Sequence, residues 1–242
     1  APDDDAGRDD PGFVAHARTF AGVTMLSRVF GLVRDAVCAA AFGASPTWSA
    51  FVSAFVVPNV FRRLFGEGAL SAAFLPEYTR LTNDAPQADR RFATLTVLLV
   101  GGVLSVVAGA LAAAILLALP ETVSLSDVGP LAVVMMPFAP LVCVTAILGA
   151  MLQAHGRFVP TAAAPILLNT CMIVAVGAGL AIFDVPLNTL VVWLAVGVAG
   201  AGLIQALWCW AERGAITRPD FRVSGEVRRV GAMLVRMGPV LI

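Results

Sequence analysis

The stretch FATLTVLLVGGVLSVVAGALAAAILLAL, which runs from Phe92 to Leu119, contains no Asp, Glu, Lys, Arg or His. An α-helix needs about 20 apolar residues in succession to cross the roughly 30 Å of hydrocarbon in a bilayer. The stretch exceeds that length and is bounded by Arg91 and Pro120. It therefore predicts a membrane-spanning helix, and the fold depends on how many such stretches the chain contains.

Three further stretches share this length and lack of charge: Val128–Ala154, Phe158–Phe183 and Val185–Ala211. Two earlier segments, about Ala17–Phe42 and about Trp48–Phe74, are equally long and mostly apolar but contain charged residues, and we interpret them as spans with functional interiors. From Glu226 onward an Arg-rich amphipathic segment leads to the end of the chain, where a seventh span begins. The predicted fold class is an all-α membrane protein, a polytopic helical bundle of six full spans plus the start of a seventh.

Prolines fall inside the predicted spans four and five, at Pro130, Pro137, Pro140, Pro160 and Pro165. A proline inside a helix removes one backbone hydrogen bond and bends or breaks the helix. We therefore expect these two spans to be interrupted.

The composition excludes most soluble classes of protein. Of the 242 residues 59% are apolar and 13% charged, and the mean hydropathy is +0.87, whereas soluble domains contain about 45–50% apolar and about 25% charged residues. The four cysteines and two histidines lie apart from one another, which predicts neither a disulfide framework nor a metal site. The chain carries no phosphate-binding loop and no hydrolase motif. We expect no enzyme activity, no cofactor and no nucleic-acid partner.

The acidic residues 1–12 predict a disordered tail, residues 13–211 a six-helix transmembrane lobe, and residues 212–242 a loop and the start of a seventh span. Twelve arginines flank the spans or lie in loops, and all of them fall on one side: Arg8, Arg18, Arg80, Arg90, Arg91, Arg157, Arg213, Arg218, Arg222, Arg228, Arg229 and Arg236. Because cytoplasmic loops are enriched in basic residues, we expect a multi-pass protein whose N-terminus is cytoplasmic.

The four remaining arginines, Arg28, Arg34, Arg62 and Arg63, lie inside the first two spans. An arginine at the bilayer centre costs about 2.5–3.5 kcal/mol on insertion scales and cannot escape by losing its proton. At 1.5 Å per residue, Arg28 would lie about 16 Å from one face and Arg62 about 20 Å from the other. Asp35 and Glu67, which is four residues after Arg63, are the only acidic residues nearby, so about two positive charges remain uncompensated.

Helix geometry places polar groups beside these arginines. Ser27 and Arg34 are seven residues apart, as are Arg28 and Asp35, and Gly31 leaves a notch between the two rows. Asn59 stands one turn before Arg62, directly after Pro58, which opens the helix. An arginine fork binds phosphate oxygens two at a time, so a pyrophosphate or a polyanionic head group is the expected ligand. The expected contacts are Arg28, Arg34, Arg62, Ser27 and Asn59, supported by Asp35, Arg63 and Glu67, with Gly31 and Pro58 as hinges.

Three runs of residues also resemble a known family. SRVFGLVRD at 27–35, AFGA at 41–44 and PNVFRRLFGEGALSAAFLP at 58–76 are similar to the MurJ/MviN family of bacterial lipid II flippases, within the multidrug/oligosaccharide-lipid/polysaccharide exporter superfamily. Weaker similarity continues through Gly149–Gln153 with Arg157 and Phe158, through Ala164 and Pro165 with Asn169, and through Met237–Pro239. Many members carry an acidic residue where this chain has Ser49, so any role of that carboxylate is absent or relocated.

The resemblance implies a protein of the bacterial inner membrane that works in cell wall biogenesis. Its substrate would be lipid II, an undecaprenyl-pyrophosphate-linked saccharide, moved from the inner to the outer leaflet by alternating access. Family members use arginines at the positions of Arg28, Arg34 and Arg62 for the anionic head group. The family has about fourteen helices in two lobes, so this chain would be the N-terminal half, the N-lobe, and its partners would be membrane lipids and the missing C-terminal lobe.

Three other functions stay open at this point. Another exporter of the superfamily could carry an O-antigen-type lipid-oligosaccharide or a drug, although a cation-coupled drug exporter should have an excess of acids in its first spans. A membrane enzyme acting on polyprenyl pyrophosphate would need Glu67, Asp35 or Ser27 as base or nucleophile. A scaffold of cell-wall assembly would not bind the head group at all.

Overall fold

The computed structural model describes residues 11–63, 70–85, 87–120, 123–214, 219–222 and 226–237. Within these ranges the regular structure is entirely helical, as predicted: α1 (Pro11–Phe42), α2 (Pro46–Phe61), α3 (Leu70–Asp84), α4 (Ala88–Ala118), α5 (Val128–Met135), α6 (Phe138–Ala154), α7 (Val159–Ala162), α8 (Ala164–Ala181), α9 (Leu187–Gly214) and α10 (Val227–Met237). The first ten residues of the predicted tail lie outside the description, and its last two, Pro11 and Gly12, already belong to α1.

Four segments are long and apolar enough to cross a membrane: Ala88–Ala118, Val128–Ala154, Ala164–Ala181 and Leu187–Gly214. They correspond to the predicted spans three to six. Their ends differ from the apolar stretches by a few residues, because a helix continues wherever its backbone hydrogen bonds continue. α4 for example starts at Ala88 and includes Asp89, Arg90 and Arg91 before the uncharged stretch begins.

The segment about Trp48–Phe74, which we interpret as span two, is not one regular helix over the described residues. The described residues form two helices there, α2 and α3, and residues 64–69 between them, with Glu67, lie outside the description. Pro58 lies inside α2, which ends one turn later at Phe61, and the chain continues into a wider, π-type turn at Arg62 and Arg63. Proline cannot donate to the preceding turn, and such wide turns interrupt the regular helical ladder.

Two further spans are broken, as the prolines predict. Span four consists of α5 and α6, which meet at Met136 and Pro137, and span five consists of the short α7 followed by α8. Pro160 and Pro165 stand in the first turns of α7 and α8, where a missing N–H costs no intrahelical bond. Two spans therefore contain non-helical backbone within them, which a membrane protein tolerates where the backbone is covered by protein.

α6 and α9 form the centre of the bundle. α6 is buried along almost its whole length, from Phe138 to Leu152, as expected of a helix that is apolar on every face. α9 packs against α6 on one side and α8 on the other, α1 covers α8, and α3 and α4 cover α6. The second half of α4 exposes Val103, Val106 and Leu117, a face that suits contact with hydrocarbon.

The turn between α1 and α2 is fixed by capping and by stacked rings. The Ser45 hydroxyl accepts a hydrogen bond of 3.2 Å from the backbone N–H of Trp48, and Pro46 occupies the first turn of α2. The rings of Phe42 and Trp48 stack at a centroid distance of 5.5 Å, and Trp48 stacks in turn on Phe51 at 5.4 Å. This turn ties together the ends of the two helices that carry the candidate site.

Candidate functional site

The predicted site residues lie on two elements. α1 carries Ser27, Arg28, Gly31, Arg34 and Asp35 near its middle, and the end of α2 carries the rest of the described set, namely Pro58, Asn59, Arg62 and Arg63. Arg28 is 17 residues after the start of α1 and 14 before its end, so at 1.5 Å per residue it is about 21 Å or more from either end. Arg28 therefore occupies the middle of a helix long enough to cross a bilayer.

Arg34 is held from two sides. Its Nε and Nη2 donate to Oδ1 of Asp35 at 3.0 and 2.7 Å, and its Nη1 donates to Oδ1 of Asn169 on α8 at 2.9 Å. The side chain of Arg34 is 26% exposed and that of Asp35 is 64% exposed. The one carboxylate of this region therefore pairs with the arginine next to it in the chain.

The Asn169 amide that accepts from Arg34 lies beside Gly31 on the surface of α1. Asn169 is 6% exposed, and a Cβ atom added to Gly31 would lie 3.6 Å from the Asn169 amide nitrogen. The notch that the sequence predicts at Gly31 is therefore occupied by the amide of α8. A hinge at Gly31 remains a prediction, as does a hinge at Pro58, which is buried inside α2.

Arg62 is one of the residues that line a small cavity. Its Nε donates to Oδ1 of Asn59 at 3.1 Å, which brings together two residues that the one-turn spacing predicts as neighbours. The cavity has a volume of about 100 Å³, and its other polar lining residues are Thr145, Thr161 and Gln205. Arg62 thus lines a small space together with residues of α6, α7, α8 and α9.

Thr161 and Gln205, two polar residues that line the same cavity as Arg62, lie at the break between α7 and α8. Gln205 is 3% exposed, and its Nε2 donates to the backbone carbonyl of Ala164 at 2.8 Å. The hydroxyl of Thr161 is buried and has no hydrogen-bond partner among the described residues. It packs against Gly149, where an added Cβ would approach it to 2.8 Å. A glycine at position 149 therefore allows α6 and α7 to touch.

Arg28 and Arg63 are exposed, and Ser27 is half-buried. Among the described residues no Asp or Glu forms an ion pair with Arg28 or Arg63, and the predicted partner Glu67 lies outside that set. Over residues 27–63 the chain carries these two arginines, Arg34 and Arg62 against a single carboxylate, Asp35. An excess of positive charge is therefore present on the described parts of both elements.

Sequence reasoning missed the contributions of α6 to α9. Asn169 entered only through the family resemblance, and Thr145, Thr161 and Gln205 were not selected at all. Each is an uncharged polar residue inside a predominantly apolar stretch, where a buried amide or hydroxyl must find a partner. A polar residue in an apolar stretch thus indicates that a hydrogen-bond partner is needed, but it does not identify the partner.

At the end of the bundle where α4 begins, residues 219–222 pack beside the first turns of α4. The backbone N–H of Asp220 donates to the Thr94 hydroxyl at 3.2 Å, and Arg91 Nε donates to the Asp220 carboxylate at 3.0 Å. The backbone N–H of Arg222 and the guanidinium of Arg91 lower the pKa of Asp220. These contacts anchor the segment that precedes α10.

Comparison with known proteins identifies relatives over most of the chain. The family model described as Lipid II flippase MurJ matches residues 38–240. The probable lipid II flippase MurJ of Rhizobium meliloti (strain 1021) is 32% identical over 252 aligned residues, which cover 93% of this chain and 44% of the relative. The lipid II flippase MurJ of Burkholderia cenocepacia is 37% identical over 199 aligned residues, which cover 78% of this chain and 38% of the relative.

A solved structure, lipid II flippase MurJ in its inward closed conformation, has the same fold. It matches with a TM-score of 0.72 over 92% of this chain and 46% of that chain, at 18% sequence identity. This chain spans less than half the length of these relatives. The sequence similarity, the matched residues and the shared helical fold together confirm the resemblance, and the chain belongs to the MurJ family of lipid II flippases.

Proposed function

We propose that the protein containing this chain moves lipid II from the inner to the outer leaflet of the bacterial inner membrane by alternating access, in cell wall biogenesis. The observation that carries the proposal is the excess of arginine over carboxylate in the middle of α1 and at the end of α2. Such charges are costly in hydrocarbon and persist where they serve a function. A pyrophosphate linked to a polyprenyl chain brings the compensating negative charge into the membrane.

The donors of Arg34 support this assignment. A guanidinium has five N–H donors, and three contacts to Asp35 and Asn169 occupy three of them, so two remain for an anion. Arg28 and Arg63 carry further positive charge on the same two elements. We assign Arg28, Arg34 and Arg62 to the anionic head group, with Ser27 and Asn59 as neighbouring polar contacts.

The size of the cavity at Arg62 indicates that the described residues form only part of the site. Pockets for drug-sized ligands occupy about 300–1,000 Å³, whereas this cavity has about 100 Å³. A disaccharide-pyrophosphate head group does not fit into it. We infer that a second lobe of the same protein supplies the opposite wall of the substrate site, and that residues 13–211 form one lobe.

The position of Asp35 favours transport over hydrolysis of a polyprenyl pyrophosphate. A hydrolase would need a general base or nucleophile beside the bound phosphate. The Asp35 carboxylate instead accepts two hydrogen bonds from Arg34, so it is engaged by the arginine next to it in the chain. The Ser27 hydroxyl has no histidine or carboxylate recorded beside it in the described ranges.

The full-length protein with Arg28, Arg34 and Arg62 all changed to Ala tests this function. Hydrogen bonds to charged groups contribute about 1.5–3 kcal/mol each, so we expect this variant to lose at least about ten-fold in the rate of lipid II translocation in proteoliposomes. It should also fail to rescue cells depleted of their flippase. Arg90→Ala is the matched control, because Arg90 is exposed at the end of the bundle, and it should retain activity. Normal rescue by the triple variant would contradict the mechanism.

A further inference from the structure

The contact between α1 and α8 contains one buried amide in an otherwise apolar surface. Asn169 has Leu168, Met172 and Val176 as its buried neighbours on α8. A buried amide is unfavourable unless it is hydrogen-bonded, and the recorded hydrogen bond of the Asn169 side chain is the one that it accepts from Arg34 at 2.9 Å. The packing of α8 therefore fixes the position of the acceptor for Nη1 of Arg34.

Gly31 and Arg34 together form the surface that receives this amide. They are three residues apart and so lie on the same face of α1. The amide nitrogen of Asn169 lies over Gly31, 3.6 Å from the position of a Cβ atom, while its oxygen accepts from Arg34. The hydrogen bond at the oxygen and the open space beside the nitrogen are both consistent with this orientation of the amide.

The two partners of Arg34 differ in how strongly they restrain the orientation of its guanidinium. Asp35 is 64% exposed and adjacent to Arg34 in the chain, and exposed ion pairs restrain geometry weakly. Asn169 is buried on a different helix, so its position is set by the bundle. It is also neutral, and therefore leaves the positive charge of Arg34 available to an anion where a second carboxylate would cancel it.

We propose that Asn169 is a positioning residue of the head-group site: by accepting from Nη1 it fixes the Arg34 guanidinium, so that its remaining donors meet the pyrophosphate in one orientation. This inference rests on the proposed function and adds to it a residue on α8. A preorganised donor loses less freedom when its ligand binds. Removing the acceptor should therefore weaken only the part of anion binding that Arg34 contributes.

A double-mutant cycle on the full-length protein tests the proposal, with undecaprenyl pyrophosphate in detergent micelles as the probe. Asn169→Leu keeps a similar volume without the acceptor, and we expect about ten-fold weaker binding, the size of one hydrogen bond to a charged group. In the Arg34→Ala background the same substitution should have no further effect. In the Arg28→Ala background it should again cost about ten-fold, because Arg28 makes no recorded contact with Asn169 among the described residues.

Thr170→Val is the matched control. Thr170 is the next residue on α8, and its hydroxyl donates within the helix to the carbonyl of Ile166 at 2.8 Å. The affinity of Thr170→Val for undecaprenyl pyrophosphate should therefore stay within about two-fold of wild type. Thermal melting identifies unfolded variants, and Asn169→Ala replaces Asn169→Leu if the leucine variant does not fold. A residue that only supports the fold would weaken binding equally in the Arg28→Ala and Arg34→Ala backgrounds.

Three outcomes overturn the assignment. Wild-type affinity in Asn169→Leu excludes a role in binding, and equal losses in both arginine backgrounds exclude action through Arg34. In both cases wild-type protein still binds the probe, so the proposed function stands. If wild-type protein itself does not bind undecaprenyl pyrophosphate, the proposed function fails and the positioning role fails with it.

Discussion

At Gly31, a role in packing and a role as a hinge predict different effects of substitution. In the structure an added Cβ atom would meet the Asn169 amide at 3.6 Å, an ordinary van der Waals distance. We therefore expect Gly31→Ala to fold with stability equal to or up to about 1 kcal/mol above wild type, since alanine favours a helix by about that amount. Gly31→Leu should displace Asn169 from Arg34 and weaken head-group binding. Melting temperature and lipid binding of both variants provide the measurement.

The same pair of variants separates a notch from a hinge. If Gly31 serves as a flexible point in α1, Gly31→Ala will reduce transport although it folds and binds the head group normally. If Gly31 serves only to admit the Asn169 amide, Gly31→Ala will transport at the wild-type rate. The Asn169 amide lies beside Gly31, and both the notch and the predicted hinge await this test.

Local pairs in the site could be predicted from the sequence, and distant pairs could not. Asn59 and Arg62 are one helical turn apart, so their contact follows from spacing. Arg34 and Asn169 are separated by 135 positions, and spacing says nothing about which helices of a bundle are neighbours. The charge excess could be counted directly, because it depends only on residue identity.

At the scale of elements, we expect alanine substitutions at two glycines of α9 to have different effects on the melting temperature. A Cβ atom on Gly202 would lie 2.8 Å from Cδ2 of Phe138, whose side chain is fully buried at the start of α6. Overpacking of this kind costs about 1–3 kcal/mol, so Gly202→Ala should lower the melting temperature. A Cβ atom on Gly200 meets nothing within 4 Å, and Gly200→Ala should leave the melting temperature unchanged or raise it. Equal melting temperatures for the two variants would contradict this account of the contact between α6 and α9.

The lengths of apolar stretches located spans three to six, but they did not locate the breaks within the bundle. An apolar stretch reports how much chain can lie in hydrocarbon, whereas the continuity of a helix depends on its backbone hydrogen bonds. The prolines of spans four and five gave that information, and the breaks were found near Pro137 and Pro160. Around Phe61 the apolar pattern continues past the end of α2, so the length of the stretch did not separate α2 from α3.

At the scale of the whole molecule, the distribution of arginine predicts orientation. The loop between α4 and α5 contains no arginine, whereas Arg80, Arg90 and Arg91 flank the junction of α3 and α4. We expect a cysteine placed at Ser124 to react with a membrane-impermeant maleimide added to intact cells. A cysteine placed at Asp84 should react only after the inner membrane is opened. Both positions are exposed, and the reverse pattern of labelling would invert the proposed topology.

The native cysteines allow this measurement. Cys38, Cys143 and Cys209 are buried, and Cys171 is half-buried. The unsubstituted protein therefore supplies the background of labelling against which Ser124→Cys and Asp84→Cys are compared. A Cys171→Ala background removes the most accessible of the four.

The length of α1 has a mechanical consequence. Its 32 residues form an unbroken rod of about 48 Å, whereas the hydrocarbon layer is about 30 Å thick. The stacked rings of Phe42 and Trp48 tie one tip of the rod to α2, so the surplus must be taken up by leaning or by protrusion at the opposite tip. A displacement of the opposite tip would pass along the rod first to the Arg28 guanidinium at mid-length and then to Arg34, which lies closer to the tied tip.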